Sequence, residues 1–334
     1  DSPPPYLDIE TGLTNVKPVF FRFPNTKIKI NNFNPKHQNK APKPTKNLKT
    51  NINKPTTNVF SSPKKYARRG WVSRHFSSAN LDFVHRFRAR RIDLLEGWTM
   101  CTLIVAHRTL NGTPLLVADN RDENYDRPEE EASWWRPEPA GPKIWSPRDA
   151  KAGGTWIGWS EYGVFAGLTN RFGNKPDPDR RSRGEVVLEA LMYMSAYEGA
   201  NAIARWSALD VNPFHLIVAD LERAFLVWHT GTSIEIEELG PGVHVLTERS
   251  LGAADSAREE YVIEQIEQLQ RDDALDREHL AALLSTQRGM GFDDVRVNLP
   301  ALNYGTRSSV LIEVTDMGGR KNPALVYQPG GFTD

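Results

Sequence analysis

Cys101 is the only cysteine among 334 residues, and it directly follows a methionine. If Met100 is the natural start and is trimmed away, Cys101 carries a thiol and a free α-amine on one residue, a nucleophile with its own base. One hairpin downstream stands the polar quartet Asn120-Arg121-Asp122-Glu123. Asp122 can hold and orient that amine, and Arg121 can favour the thiolate by placing positive charge nearby. Each feature also has a plain structural explanation. A lone cysteine at the head of a strand is often a small buried hydrophobe, and four polar residues after a strand are often a solvated turn. The Met-Cys-Thr context favours the chemical reading, because it is a short route to an amino-terminal thiol.

The elements that must position these residues follow from hydrophobic pattern and turn chemistry. Cys101–His107 reads as a buried strand, closed by the turn Asn111-Gly112, with Pro114–Ala118 returning as its hairpin partner. Gly153–Trp159 and Gly163–Thr169 read as a second pair. Ser182 with Glu185 forms a capping box that opens a helix with Val186, Leu188, Ala190, Leu191 and Met194 on its apolar face. A further helix is predicted over Ala200–Ala208. Four short strands follow: Phe214–Asp220, Ala224–His229, Ser233–Leu239 and Val243–Thr247. Helices are predicted at Ala254–Leu269 and Arg277–Leu284, then strands at Ser309–Val314 and Ala324–Gln328. Blocks of strands and blocks of helices in turn are an α+β order rather than a doubly wound sheet.

The net charge of zero conceals two oppositely charged parts. Residues 1–100 hold 19 Lys and Arg against 6 Asp and Glu, whereas 101–334 hold 23 against 36. Such asymmetry marks two separate physical objects. Residues 1–99 are rich in Asn, Lys and Pro and read as a disordered basic extension, or as sequence upstream of the natural start. Their clusters Lys64, Lys65, Arg68, Arg69 and Arg86, Arg88, Arg90, Arg91 match no recognised nucleic-acid module by spacing, which argues against a nucleic-acid partner. Residues 100–334 are long enough for one domain with a large core. A single cysteine excludes an intrachain disulfide framework and any multi-cysteine zinc site. No run approaches the ~18 apolar residues of a membrane span, and no basic-then-apolar leader opens the sequence, so an intracellular, cytoplasmic protein is expected.

Six ordered motifs then carry a resemblance. They are Met100-Cys101-Thr102-Leu103, Ala118-Asp119-Asn120-Arg121-Asp122-Glu123, Gly153-Gly154-Thr155-Trp156-Ile157-Gly158, Gly167-Leu168-Thr169-Asn170-Arg171, Ser182-Arg183-Gly184 and Tyr304-Gly305-Thr306-Arg307-Ser308-Ser309. The chain from Cys101 onward resembles the NRDE-motif family, also called the transport-and-Golgi-organisation protein 2 family. That family is similar to amino-terminal-nucleophile (Ntn) hydrolases. The resemblance implies a four-layer αββα sandwich of two antiparallel sheets and hydrolysis of a small amide or acyl substrate. It implies Cys101 as nucleophile, Asp122 as partner of its amine, Asn170 as oxyanion donor and Arg307 as charge stabiliser or substrate clamp. Eukaryotic members are linked to haem trafficking and to lipid and acyl-coenzyme A metabolism in cytosol and mitochondria, so a carrier of haem or an acyl ligand is the alternative. Hydrolysis would need no cofactor; haem would be a carried ligand.

Two departures from the pattern stand out. Related amidases place arginine before the asparagine, as Arg-Asn-x-Asp, whereas here Asp119 stands there and the arginine is Arg121. The family usually shows His-x-Leu-Ser-Asn, whereas this chain reads His244-Val245-Leu246-Thr247-Glu248. A carboxylate cannot donate to an oxyanion unless protonated. The histidines His107, His215, His229 and His244 show no metal-ligand spacing, so no metal centre is expected. Gly153-Gly154 and Trp156 serve equally as strand-packing residues or as pocket walls.

Overall fold

The computed structural model describes residues 100–333 apart from 174 and 318–319, and the basic extension 1–99 lies outside the described residues. Thirteen strands and four α-helices occur among the described residues. They are β1 (Cys101–Leu110), β2 (Thr113–Asn124), β3 (Glu129–Trp135), β4 (Ile144–Asp149), β5 (Ile157–Ser160), β6 (Phe165–Asn170), α1 (Arg183–Leu191), α2 (Ala196–Ala204), β7 (Phe214–Ala219), β8 (Ala224–His229), β9 (Ile234–Leu239), β10 (Gly242–Thr247), α3 (Ala257–Arg271), α4 (Arg277–Ser285), β11 (Asn298–Leu299), β12 (Tyr304–Met317) and β13 (Arg320–Pro329).

Both sheets are antiparallel. One runs β10-β1-β2-β12-β11, with β13 paired to β12; the other is a meander in sequence order, β3 to β9. Three apolar cores separate four layers. Leu103, Val105, Leu115, Val117, Phe165, Ile217, Leu226, Val310 and Ile312 fill the space between the sheets. Val186, Val187, Leu191 and Ile203 of α1 and α2 pack on Ala166, Leu168, Leu216 and Val218 of the meander. Val262, Ile266, Leu280 and Leu284 of α3 and α4 pack on Ile104, Ala106, Leu116 and Ala118 of the other sheet. This is the αββα order expected. It also explains why β1 and β2 read as unbroken apolar runs: each is buried on both faces, so successive side chains enter different cores.

The β1–β2 hairpin closes on the two-residue loop Asn111-Gly112, since Leu110 pairs with Thr113. Gly112 has a φ of 71°, which costs a residue without Cβ nothing. Ser182 caps α1 as predicted, with Glu185 reaching back to complete the capping box. Three expectations need correcting. The polar quartet 120–123 is no turn but the buried last third of β2, a longer strand than the apolar run alone suggests. The helix predicted over Ala200–Ala208 starts earlier, at Ala196, because Ser195 accepts from the Glu198 N–H and caps it. The four strands Phe214–Thr247 are not one unit: β7 to β9 stay in the meander, whereas β10 crosses to pair with β1.

Candidate active site around Cys101

Cys101 opens β1, directly opposite Arg121 of β2. Strand alternation sorts the polar residues at this end of the sheet. Asp119 and Arg121 share the face of Leu115 and Val117, toward the other sheet, while Asn120 and Asp122 share the face of Leu116 and Ala118, toward α3 and α4. The hydrogen bonds agree. Asn120 Nδ2 donates to the carbonyls of Leu284 and Val295 at 2.8 Å each, and Asp122 meets Arg258 of α3.

Cys101 is 5% exposed. Burial pushes its pKa well up, as do the charges of Asp119 and Asp122; a backbone hydrogen bond from Asp122 and the Arg121 charge act the other way. With Met100 attached, the Cys101 nitrogen is part of a peptide bond. The Met100 N–H donates to the Tyr304 hydroxyl at 2.7 Å, and that hydroxyl donates to the Asp122 carbonyl at 3.2 Å. The backbone just before the thiol is thereby tied to the residue expected to hold its amine.

Both carboxylate oxygens of Asp122 are engaged. Arg258 Nη1 lies 2.9 Å from Oδ2, and the Thr306 hydroxyl donates to Oδ1 at 2.6 Å. Burial still pushes Asp122 up to about 7; Arg258 and Thr306 oppose the shift, and Glu248 adds to it. Arg258 also donates to Thr102 Oγ1 and to the Phe292 carbonyl, so all of its visible bonds hold the base of this cluster together.

Arg121 is held on the opposite face. Its Nη1 meets Glu129 Oε2 at 2.6 Å, and its guanidinium lies 4.3 Å from the Trp156 ring centroid. Tyr327 donates to the other oxygen of Glu129 at 2.9 Å. Much of the Arg121 charge is therefore answered by Glu129. Trp156 forms a wall beside Asp119, whose carboxyl is pushed well up by burial and by Asp122, against Arg121 and Trp156. Gly154 has a packing role: a Cβ there would lie 2.6 Å from the Gly184 backbone, so the glycine lets the start of α1 approach β5.

Arg307 sits in a β-bulge. Thr306 pairs with Asp122 and Ser308 with Arg121, leaving Arg307 as the extra residue. Its Nη2 donates to the Arg127 carbonyl at 3.5 Å, and its buried Nε has no partner among the described residues. Asn170 ends β6 on the facing sheet, its backbone paired with Phe214. Two residues on, the Phe172 N–H donates to the Glu248 carbonyl at 2.7 Å, which ties the end of β6 to the end of β10. Thr247 pairs with Thr102, so Glu248 follows one step beyond, level with Cys101. Glu248 Oε1 meets Arg249 at 3.2 Å, and Oε2 is buried without a partner among the described residues. Burial raises its pKa, with Arg258 the chief opposing influence.

The structure thus gathers Cys101, Arg121 and Asp122 at one sheet end, with Arg307 on the adjacent strand and Asn170 on the facing sheet. Sequence reading missed Arg258, although a signal existed: Arg258, Val262 and Ile266 follow one another at four-residue spacing along the buried face of α3. Tyr304, Thr306 and Arg183 lay inside quoted motifs without assigned roles. The histidines are anchored to protein groups. His107, His229 and His244 bond the carbonyls of Asp220, Ala208 and Gly240, and His215 lies between Thr247 and Arg171. No cluster of three or more His, Cys, Asp or Glu suited to a metal ion occurs among the described residues. No helix among them is long and apolar enough to cross a membrane.

The family model described as Transport and Golgi organisation 2 matches residues 100–322. The chain is similar to the Transport and Golgi organization 2 homolog of Mus musculus, 32% identical over 148 residues, covering 41% of this chain and 51% of that protein. It is 34% identical over 143 residues to the Bos taurus homolog, with the same two coverages. The chain spans about half the length of the curated relatives it matches. Among solved structures, a Caenorhabditis elegans N-acylethanolamine-hydrolyzing acid amidase ortholog matches with a TM-score of 0.46 at 16% identity, covering 64% of this chain and 92% of that one. A mutant conjugated bile acid hydrolase from Clostridium perfringens matches with a TM-score of 0.44 at 11% identity, covering 68% and 92%.

Proposed function

Since this chain belongs to the transport and Golgi organisation 2 family, we propose that its folded domain is a cysteine amidohydrolase whose nucleophile is Cys101, acting on a small amide or acyl substrate. In this reading Met100 is removed and the Cys101 nitrogen becomes a free amine. The amine takes the thiol proton as sulfur bonds to the substrate carbonyl carbon, and the carbonyl oxygen takes the electron pair. Collapse of that intermediate breaks the C–N bond, and the ammonium returns its proton to the leaving nitrogen. The amine then takes a proton from water as the water attacks the thioester, and thiol and acid are released. Asn170 is assigned as oxyanion donor and Arg307 as substrate clamp. A lone catalytic thiol suits a reducing, cytoplasmic setting.

The observation that carries this reading is the hydrogen-bond path from Met100 N–H through the Tyr304 hydroxyl to the Asp122 carbonyl. It places the Tyr304 hydroxyl and the Asp122 carbonyl one residue before the nitrogen that would become the amine, beside a carboxyl held by Arg258 and Thr306. The test is intact-mass analysis of protein whose translation begins at Met100, followed by an acyl probe. Loss of the methionine and one acyl adduct on Cys101, absent from Cys101→Ser, support the proposal. Retention of the methionine, or no acyl-enzyme from any amide, overturns it.

A second reading rests on Glu248. A carboxylate whose buried Oε2 has no partner among the described residues stands where the family pattern has an amide donor, which favours a carrier of haem or an acyl compound over a hydrolase. Titration with haem and with acyl-coenzyme A tests it; no spectral change and no heat with either would remove it.

A further inference from the structure

We infer that the sheet end beside Cys101 selects substrates bearing an anionic group, which Arg171, Arg183 and Arg307 receive. The inference rests on reading that sheet end as the substrate site. All three arginines are only partly exposed, and none makes an ion pair with any described residue. Each is instead oriented by a neutral acceptor. Arg171 Nη1 lies 2.9 Å from His215 Nε2, and burial together with Arg171 holds His215 down to about 3, so the imidazole is neutral and accepts. Arg183 Nη1 donates to the Pro213 carbonyl at 3.5 Å, and Arg307 Nη2 to the Arg127 carbonyl at 3.5 Å.

The three belong to one neighbourhood. The Arg171 N–H donates to the same Pro213 carbonyl at 3.1 Å, which sets Arg171 beside Arg183. The charge of Arg183 is felt by Cys101 and Glu123 and is opposed by Arg127, the residue whose carbonyl holds Arg307. Glu123 does not cancel the group, because it is already shared between Arg121 at 3.7 Å and Arg127 at 3.6 Å. Asp149 is likewise taken by Arg127. Guanidiniums partly removed from water, fixed in direction and left without a counter-charge carry an unfavourable energy that an incoming carboxylate or phosphate relieves. The planar fork of arginine suits the paired oxygens of either anion. The carboxylate and phosphate sources share this chemistry, and the thiol nearby is where the reacting carbonyl would lie.

The test is calorimetric binding of glutarate, inorganic phosphate and the neutral glutaramide to the full chain, in wild type and in Cys101→Ala. The expected result is an anion bound at least ~10-fold more tightly than glutaramide, with affinity falling as salt rises. Glutarate and phosphate in separate arms distinguish a carboxylate site from a phosphate site. Arg183→Gln and Arg171→Gln should each lower anion affinity about 10-fold, and Arg183→Lys, which keeps the charge, should recover part of it. Equal affinity for glutarate, phosphate and glutaramide, no binding of either anion, or unchanged affinity in both glutamine variants would overturn the inference. If Arg183→Gln does not fold, Arg307→Gln and Arg183→Lys give the same comparison. Because Cys101→Ala retains the arginines, anion binding there separates this outcome from any failure of the thiol chemistry.

Discussion

Asp122 and Arg258 form an ion pair 2.9 Å apart, with side chains 0% and 1% exposed. The strand residue comes from the sheet and the arginine from α3, so the pair fastens that helix to the strand opposite Cys101. Removing one partner leaves a charge buried without an answer, which costs about 3–5 kcal/mol. Arg258→Ala should lower unfolding stability by that amount in urea titration. Replacing both by apolar residues of similar volume, as in Asp122→Leu with Arg258→Met, should cost far less. A double variant no more stable than Arg258→Ala would refute this account of the pair.

The Asp122 carboxyl has a pKa raised from 3.8 to about 7 in the folded chain. The folded state therefore binds a proton that the unfolded state releases between about pH 4 and pH 7. Stability from this group is fully present below the unfolded pKa and is lost as pH rises toward 7, with a slope of up to ~1.4 kcal/mol per pH unit. Against Asp122→Asn, the wild type should lose relative stability across that window. Urea midpoints for both proteins at pH 4.5, 5.5 and 6.5 will show the two lines converging or crossing; parallel lines would rule the linkage out.

Cys101 should react slowly while Met100 is attached. Burial and the nearby carboxylates raise its thiol pKa, so little thiolate is present at neutral pH. Iodoacetamide at pH 7.5 should modify it at least ~10-fold more slowly than free cysteine. Timed intact-mass measurement follows the modification. A rate equal to that of free cysteine would mean that burial and the carboxylates do not raise the pKa of this thiol.

Gly154 and Gly184 touch through their backbones, and a Cβ on either would approach the other within 3.0 Å. Backbone cannot yield as a flexible side chain can, so Gly154→Ala should cost ~1–3 kcal/mol, the range typical of overpacking. The same change displaces the start of α1 and with it Arg183. Thermal unfolding and glutarate affinity should fall together, whereas Gly153→Ala next door meets no atom within 4 Å and should strain only its φ of 80°.

Glu248→Asn places an amide where the buried carboxylate stands. It removes a charge that raises the pKa of Asp122, and it supplies an N–H donor level with Cys101. Acyl-enzyme formation by protein lacking Met100 should become faster by about 10-fold. No change, or a loss, would show that Glu248 is not a damaged oxyanion donor.

Much of the fold was legible where local chemistry decides it. The Asn111-Gly112 turn, the capping box of Ser182 and Glu185, and the apolar runs of β1 and β7 each encode their element over a few residues. β3 and β4 were not legible. Glu129–Trp135 sits at the sheet edge with mixed burial, giving no clean alternation, and Pro147 lies inside β4, where proline argues against a strand. Cys101, Arg121, Asp122 and Arg307 were singled out by motif, but their separation onto two faces of one sheet required the strand register. Arg258 was hidden for another reason: it belongs to a charged run that resembles a solvated helix face, and its partner lies 136 residues away.

The bulge at Arg307 makes this position the one in β12 that the ladder can lose without changing register. Upstream of it, Thr306 turns with Asp122 toward α3; downstream, Ser309 turns with Asn120 toward the same layer, three residues on rather than two. Arg307 therefore acts as a phase shift in the strand, like one added beat in a two-beat rhythm. Substituting it alters a side chain and leaves the count intact. Deleting it would leave Thr306, Ser308 and Ser309 in plain alternation against Asp122, Arg121 and Asn120, so Val310 and Ile312 would stay in the inter-sheet core and Leu311 in the helix-side core. A single-residue deletion here should therefore still fold, as Arg307→Ala does, with the strand straightened and the guanidinium lost.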